Sequence, residues 1–151
     1  MSFDTATPYI ASYVIVRKGN KIAFVLRANT GWMNDHYGLP AGKTEKGESF
    51  MAGAIREAKE EIGITITTKD LKPLLIMHRG APIEGDMTWV DAFFEAKKWL
   101  GEPYNAEPNV HSELAWLDPA NLPPNIVPNV RFALDQIAIG NHYCEYSWTQ
   151  S

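Results

Sequence analysis

Residues 49–62 carry the strongest periodic pattern in the sequence, and this pattern constrains the fold more than any other feature. Apolar side chains recur there at spacings of three and four residues, at Met51, Ala54, Ile55, Ala58 and Ile62. This spacing places them on one stripe of an α-helix. Ser49 can cap the start of the helix, and Gly63 suits the position just beyond its end. A helix with a single apolar stripe has to cover another element, so the chain needs a further layer beneath it.

Segments typical of β-strands lie on both sides of this helix. β-Branched and aromatic residues predict strands at residues 9–17, 21–27, 71–78, 88–96 and 114–117. Residues 18–20 predict a turn, so the chain opens with a hairpin. Residues 130–139 predict a second amphipathic helix, which Asn129 can cap and Gly140 can end. This order favours an α/β protein in which a mixed sheet carries helices on both faces.

Length and composition limit the class of protein further. The 151 residues predict one domain, residues 1–151. The apolar runs are far shorter than the roughly 20 residues that span a bilayer. The first residues lack the basic flank and apolar stretch of a secretory signal. Cys144 is the one cysteine, so no disulfide can form within the chain, which favours a reducing, cytoplasmic setting.

The charge balance bears on the ligand. The formal net charge is −4, whereas proteins that bind nucleic-acid polymers usually carry a basic excess. We therefore expect no nucleic-acid polymer and no membrane as a partner. An acidic protein that binds a small anion needs positive charge from another source, and a divalent cation is the obvious one.

A cluster of carboxylates on the first predicted helix could hold such a cation. Glu57, Glu60 and Glu61 converge on one helix face, which we expect to be exposed and roughly opposite the apolar stripe. Oxygen ligands favour Mg²⁺ or Mn²⁺. A run of Arg, Lys and Glu is more often a solvated helix face. Two features favour the metal site here: the glycine-containing loop at residues 39–42, and Glu48, placed where Arg56 can reach it.

The same residues resemble a known family motif. Gly42, Glu48 and the run Arg56-Glu57-Ala58-Lys59-Glu60-Glu61-Ile62-Gly63-Ile64 match the Nudix box, G-x5-E-x7-R-E-U-x-E-E-x-G-U, at every fixed position. Ala58 is smaller than the usual aliphatic residue at its position. The resemblance extends over about residues 9–139 and implies a Nudix-type α/β/α sandwich.

The resemblance also implies roles for individual residues. Glu57, Glu60 and Glu61 would bind Mg²⁺, with Mn²⁺ a possible substitute, and Glu57 is a candidate general base. The carbonyl of Ala41 would be a further ligand, and Arg56 and Glu48 would form a supporting ion pair. The catalytic set is therefore Glu48, Arg56, Glu57, Glu60 and Glu61. Glu107 is nominated as an additional metal ligand, with Glu113 as the alternative.

The implied reaction is attack of water on a phosphorus of a nucleoside diphosphate linked to another group. Resemblance to the MutT-type layout favours a nucleoside triphosphate, normal or oxidised, cleaved to a nucleoside monophosphate and pyrophosphate. Residues 29–42 predict a long loop, which in a compact domain is often functional. The candidate substrate-binding residues are Trp32, Asn34, Tyr37, Trp116, Asn125 and Asn129. For Trp116 a place in the core, and for Asn129 a role as a helix cap, are the competing interpretations.

Other activities remain open on the sequence. The substrate could be ADP-ribose, a nucleotide sugar or a dinucleoside polyphosphate. Isomerisation of isopentenyl diphosphate uses a cysteine near the start of this fold, whereas Cys144 lies near the end. A catalytically inactive nucleotide-binding module usually loses part of the box, and this box is intact. Both a monomer and a homodimer are compatible with the sequence.

Overall fold

An antiparallel hairpin of β1 (Tyr9–Lys18) and β2 (Lys21–Arg27) begins the fold, as predicted. The structure, a computed structural model, describes residues 4–81 and 87–148. Residues 1–3, on which part of the signal-peptide expectation rests, lie outside the described residues. Gly19 has a φ of +63°, so the turn uses the left-handed conformation that glycine adopts without strain.

The remaining elements follow in chain order. They are β3 (Tyr37–Gly38), β4 (Ala41–Lys43), α1 (Phe50–Ile62), a short 3₁₀ turn (Thr68–Asp70), β5 (Leu71–Arg79), β6 (Trp89–Ala96), β7 (His111–Leu117), α2 (Pro128–Ala138) and β8 (Tyr143–Tyr146). In the described part of the chain, no helix has the length and apolarity needed to cross a membrane.

Over the described residues the strands form one mixed sheet in the order β3-β2-β1-β6-β5-β8, with β4 paired to β1 and β7 paired to β2. β1 runs parallel to β6 over residues 9–16 but pairs with β2 only at Arg17 and Lys18, next to the hairpin turn. Beyond that point the two strands separate, β4 pairs with β1, and β3 pairs with β2. The separation leaves an opening in the sheet, and β4 forms its edge.

The two helices pack on opposite faces of the sheet, which confirms the α/β/α sandwich. On one face, Ala54, Ala58 and Ile62 of α1 pack on alternate strand residues such as Val14 and Val25. On the other face, α2 packs on a cluster that includes the fully buried Phe24 and Phe93. The small side chain of Ala58 lies in this first interface at 0% exposure, so a smaller residue fits where the helix approaches the sheet.

The predicted ends of α1 are confirmed. The Ser49 hydroxyl accepts a hydrogen bond from the Ala52 amide at 3.0 Å, and Gly63 follows the last turn with a φ of +73°. The prediction that Asn129 caps α2 is wrong. Pro128, whose fixed φ suits a first helical turn, begins the helix after Val127, so Asn129 lies inside it.

Three further differences concern short elements. The predicted loop at residues 29–42 contains β3 and β4, which at two and three residues are too short to show any periodicity. β7 begins at His111 rather than at residue 114, because polar residues occupy its first half. β8 was not predicted: it has four residues and pairs through its backbone with β5 at the sheet edge.

Candidate active site

Two carboxylates of α1 are buried beneath β4. The side chains of Glu57 and Glu61 are almost closed to solvent, whereas the Glu60 side chain keeps 48% of its surface exposed. The expectation that all three lie on an exposed helix face is therefore wrong for Glu57 and Glu61. The cause is the strand at the sheet opening, because β4 passes directly over this face of the helix.

The crossing depends on Gly42. A Cβ atom at this position would overlap the Glu57 carboxylate, so only a residue without a side chain lets β4 approach α1 so closely. The glycine of the motif therefore places the backbone against the carboxylate.

Arg56 links four partners around these carboxylates. Its Nε and Nη2 donate to the two carboxylate oxygens of Glu48, at 2.8 and 3.0 Å. Its Nη1 donates to Oε1 of Glu57 at 2.8 Å and to Oε2 of Glu60 at 3.2 Å, and Nη2 also donates to the Lys43 carbonyl. The bidentate bond to Arg56 holds the pKa of Glu48 at about 2. Arg56 thus ties α1, the loop before it and β4 together.

Glu61 contacts β4 from the other side. Its Oε2 accepts a hydrogen bond from the Ala41 amide at 2.7 Å. Burial, and then the neighbouring Glu57, raise the Glu61 pKa well above its usual range. Burial likewise raises the pKa of Glu57 to about 6, against the opposing effect of Arg56. Nearby cationic side chains therefore do not fully balance the negative charge of Glu57 and Glu61.

The loop before β7 places Glu107 near Glu57 and Glu61. Glu107 is close enough for its charge to raise the pKa values of both Glu57 and Glu61. Its own pKa is raised by burial and by Glu60. The Ala106 amide bonds to the Glu61 carbonyl at 3.0 Å, which attaches this loop to the end of α1.

Asn105 closes the loop, and no sequence pattern singled it out. Its Nδ2 donates to the His111 carbonyl at 2.8 Å, and its Oδ1 accepts from the Glu107 amide at 3.2 Å. The His111 side chain is buried, its Nδ1 has no partner among the described residues, and burial lowers its pKa to about 4. These contacts fix the backbone from which Glu107 extends. Glu113, the alternative ligand, instead accepts a 2.5 Å hydrogen bond from the Tyr37 hydroxyl.

The donor set suits a hard divalent cation. Four glutamates, Glu57, Glu60, Glu61 and Glu107, lie together, and Arg56 bonds to two of them. Burial, and after it the neighbouring carboxylates, raise the pKa values of Glu57, Glu61 and Glu107, a cost that a bound cation would offset. Within residues 4–81 and 87–148, no three His, Cys, Asp or Glu side chains are already arranged as metal ligands. Arg56 contacts Oε1 of Glu57, and the Ala41 amide contacts Oε2 of Glu61. These carboxylates would have to turn toward a bound ion.

Most of the predicted base-binding residues lie around the loop at residues 29–37. Trp32 is 49% exposed, and the Arg27 guanidinium lies 5.2 Å from its ring centroid. The Asn34 side chain is used within the loop, since it accepts from the Thr30 amide and donates to the Thr30 carbonyl. The Tyr37 amide donates to the Asn125 carbonyl at 2.8 Å, and the Tyr37 hydroxyl donates to Glu113.

The other two candidates, Asn129 and Trp116, do not lie at the loop of residues 29–37. Asn129 is buried in α2 close to Tyr13, whose pKa it lowers against the larger, opposite effect of burial. Trp116 packs half-buried on the face covered by α1, whereas Tyr37 packs on the face covered by α2. The structure therefore does not bring Trp116 together with the other candidates, in agreement with the core interpretation of this residue.

Arg27 is a site residue that the sequence analysis missed. It ends β2 and donates from Nε to the Trp32 carbonyl at 2.9 Å. Burial lowers its pKa, while the charge of Glu61 acts in the opposite direction. The sequence feature that could have identified Arg27 is a basic residue at the junction of an apolar strand and a long loop.

A buried ion pair in the middle of the sheet was also missed. Asp91 of β6 is fully buried and bonds to Arg79 of β5 through Nε at 2.5 Å and Nη2 at 3.2 Å. An aspartate within the otherwise apolar strand Trp89–Ala96 was a signal that a partner must lie on a neighbouring strand.

Comparison with known proteins gives consistent matches. The family model described as "NUDIX domain" matches residues 7–136. The protein named 8-oxo-dGTP diphosphatase of Escherichia coli (strain K12) is 31% identical over 117 residues, covering 76% of this chain and 87% of the relative. A MutT NUDIX hydrolase from Burkholderia pseudomallei has a similar structure, with a TM-score of 0.76, 26% identity, and coverage of 86% of this chain and 98% of the other. An uncharacterized Nudix hydrolase of Bacillus subtilis (strain 168), YvcI, is 29% identical over 106 residues, covering 69% of this chain and 62% of the relative.

Proposed function

This chain belongs to the NUDIX domain family, and we propose that it is a Mg²⁺-dependent hydrolase of nucleoside triphosphates. The reaction breaks a diphosphate bond, and water attacks a phosphorus to release a nucleoside monophosphate and pyrophosphate. The observation that carries the proposal is the convergence of Glu57, Glu61 and Glu107 beneath and beside β4, with pKa values raised by burial and by neighbouring glutamates.

The proposed metal ligands are the carboxylates of Glu57, Glu60, Glu61 and Glu107 and the carbonyl of Ala41. Bound Mg²⁺, or Mn²⁺ in its place, would neutralise phosphate oxygens and lower the pKa of bound water. The acidic net charge of −4 is compatible with an anionic substrate because the substrate would arrive with its metal.

Arg56 and Glu48 act on this cluster as positioning residues. Arg56 donates to Oε1 of Glu57 at 2.8 Å and makes no hydrogen bond to Oε2 of the same carboxylate. We assign the role of general base to Glu57 Oε2. Burial raises the pKa of Glu57 to about 6 in the metal-free protein, which makes this carboxylate a stronger base than an exposed glutamate.

A nucleoside triphosphate is the preferred substrate because of one relative. The Escherichia coli protein that is 31% identical carries the name 8-oxo-dGTP diphosphatase. We propose the same substrate class, normal or oxidised, for this chain. Trp32, whose ring is half exposed in the loop at residues 29–37, is the proposed stacking partner of the substrate base.

A screen of substrates with and without Mg²⁺ tests the proposal. The panel consists of normal and oxidised nucleoside triphosphates, ADP-ribose, nucleotide sugars and dinucleoside polyphosphates, with separate detection of pyrophosphate and phosphate. We expect Mg²⁺-dependent release of pyrophosphate from a triphosphate. Preferred cleavage of another member of the panel would replace the substrate, and no cleavage of any diphosphate would favour a binding module.

We also propose a reducing, cytoplasmic location. The observation that supports it is Cys144, the one cysteine of the chain, which is buried in the cluster beneath α2.

A further inference from the structure

The loop between β6 and β7, residues 97–110, folds back onto the C-terminal end of α1. The Tyr104 amide donates to the Ile62 carbonyl at 3.1 Å, and the Ala106 amide donates to the Glu61 carbonyl at 3.0 Å. Carbonyl groups in the last turn of a helix lack partners within the helix, so both bonds satisfy acceptors that would otherwise need water. We call this segment the β6–β7 loop.

The side chain of Tyr104 adds a contact of another kind, with Gly63. The aromatic ring occupies the place that a side chain at Gly63 would take, because a Cβ atom there would overlap the ring. Gly101 of the same loop also packs there, since a Cβ atom on Gly101 would lie 3.4 Å from the Gly63 carbonyl oxygen. The β6–β7 loop therefore packs closely on the glycine that ends α1.

The Tyr104 ring does not fill the protein interior. Tyr104 is 59% exposed, and it belongs to neither of the two core clusters formed by the described residues. Exposed side chains outside the core usually contribute little to stability. The contact with Gly63 therefore restrains the path of the β6–β7 loop more than it stabilises the core.

Glu107 lies three residues beyond Tyr104, a length of chain that spans at most about 10 Å. The Glu107 carboxylate is close enough to Glu57 and Glu61 to raise both pKa values. A metal ligand has to be held within about 0.5 Å of its productive position. Restraining the chain a few residues before the carboxylate reduces the number of positions that Glu107 can adopt.

We infer that Tyr104 is a positioning residue for Glu107. Its ring, seated on Gly63, holds the β6–β7 loop against α1 so that the Glu107 carboxylate stays beside the carboxylates of the helix. Asn105 restrains the same loop through the His111 carbonyl, on the side of β7. The inference rests on the proposed function, in which Glu107 is a metal ligand.

Binding of Mn²⁺ alone, without nucleotide, tests the inference independently of hydrolysis. The electron paramagnetic resonance signal of free Mn²⁺ gives the dissociation constant. Tyr104→Ala removes the ring, and we expect the dissociation constant to rise about tenfold. Tyr104→Phe keeps the ring and should stay within about twofold of the unmodified protein. Tyr143→Ala, which removes a similarly exposed tyrosine from β8 at the sheet edge, is the matched control and should change nothing.

A second pair of variants separates positioning of Glu107 from a general effect on the end of α1. Glu107→Gln removes the charge that the ring would position. In that background Tyr104→Ala should therefore weaken Mn²⁺ binding by less than about twofold. If the ring only stabilised the end of the helix, the two substitutions would weaken binding by independent factors. Circular dichroism and urea unfolding show whether each variant is folded.

A folded Tyr104→Ala variant that binds Mn²⁺ as tightly as the unmodified protein would overturn the inference. So would an equal loss in the Glu107→Gln background, or an equal loss in Tyr104→Phe, which would assign the effect to the hydroxyl. No Mn²⁺ binding by the unmodified protein would overturn the proposed metal site and the inference with it. The predicted pattern of binding without any hydrolysis in the substrate screen would instead overturn the proposed reaction and leave the role of Tyr104 standing.

Discussion

Gly42 lies so close to the carboxylate of Glu57 that a single methyl group on its Cα would overlap Oε1. This contact explains why α1 and β4 can share a buried acidic site: the strand passes over the helix at a residue without a side chain. The geometry of the proposed catalytic carboxylate therefore depends on a glycine of the neighbouring strand.

Gly42→Ala is expected to displace Glu57 and to reduce kcat at least about a hundredfold. Unfolding in urea should show a loss of about 1–3 kcal/mol, because the added methyl overpacks the contact. The matched control is Gly31→Ala, at a position where a Cβ meets nothing within 4 Å. Normal activity of the Gly42 variant would show that the carboxylate position is not required.

Arg56→Lys should lower stability at neutral pH, because lysine cannot form the bidentate bond to Glu48. The pKa of Glu48 is depressed from 4.5 to about 2 in the folded protein. Its contribution is thus fully present above the unfolded value and is lost as the pH falls toward 2. Urea unfolding at several pH values should show the two proteins converging between pH 4.5 and 2. A constant difference across this range would contradict the assignment.

Asn105→Ala should weaken metal binding rather than catalysis itself, because Asn105 holds the backbone that carries Glu107. We expect the Mg²⁺ concentration for half-maximal activity to rise about 10–100-fold, with kcat largely recovered at saturating Mg²⁺. Asn20→Ala, at an exposed turn asparagine, is the control. An unchanged Mg²⁺ dependence would leave Glu107 outside the metal site.

Trp32→Ala should raise KM more than it lowers kcat if the ring stacks on the substrate. Because the side chain is half exposed, we expect stability to change by no more than about 0.5 kcal/mol. Steady-state kinetics with the preferred triphosphate provide the measurement. If neither constant changes, Trp32 serves only the loop, where Arg27 already stacks against it.

The residues of α1 show what local pattern could predict. Its boundaries follow from the apolar spacing, from Ser49 as the cap and from Gly63 as the end, and all three are observed. The ion pair of Arg56 with Glu48 follows from a local motif in which these two residues lie eight positions apart.

Features that depend on contacts between distant segments could not be predicted from the local sequence pattern. Glu57 and Glu61 are buried only because β4 crosses the helix, which requires the sheet to open between β1 and β2. The pairing of Arg79 with Asp91 depends on the register of β5 against β6. Asn129 resembled a cap because local sequence does not reveal whether Pro128 or its successor begins the helix.

Pyrophosphate release by the unmodified protein and by Glu60→Gln, each with and without Mg²⁺, tests the central claim most directly. The Glu60 side chain is 48% exposed, so the substitution removes one charge without disturbing the packed core, and Glu102→Gln serves as the control at an exposed glutamate away from the site. The account predicts Mg²⁺-dependent release by the unmodified protein and by the control, and release reduced at least about a hundredfold in Glu60→Gln. Near-normal, Mg²⁺-dependent release by folded Glu60→Gln would contradict the assignment of these carboxylates as the metal site.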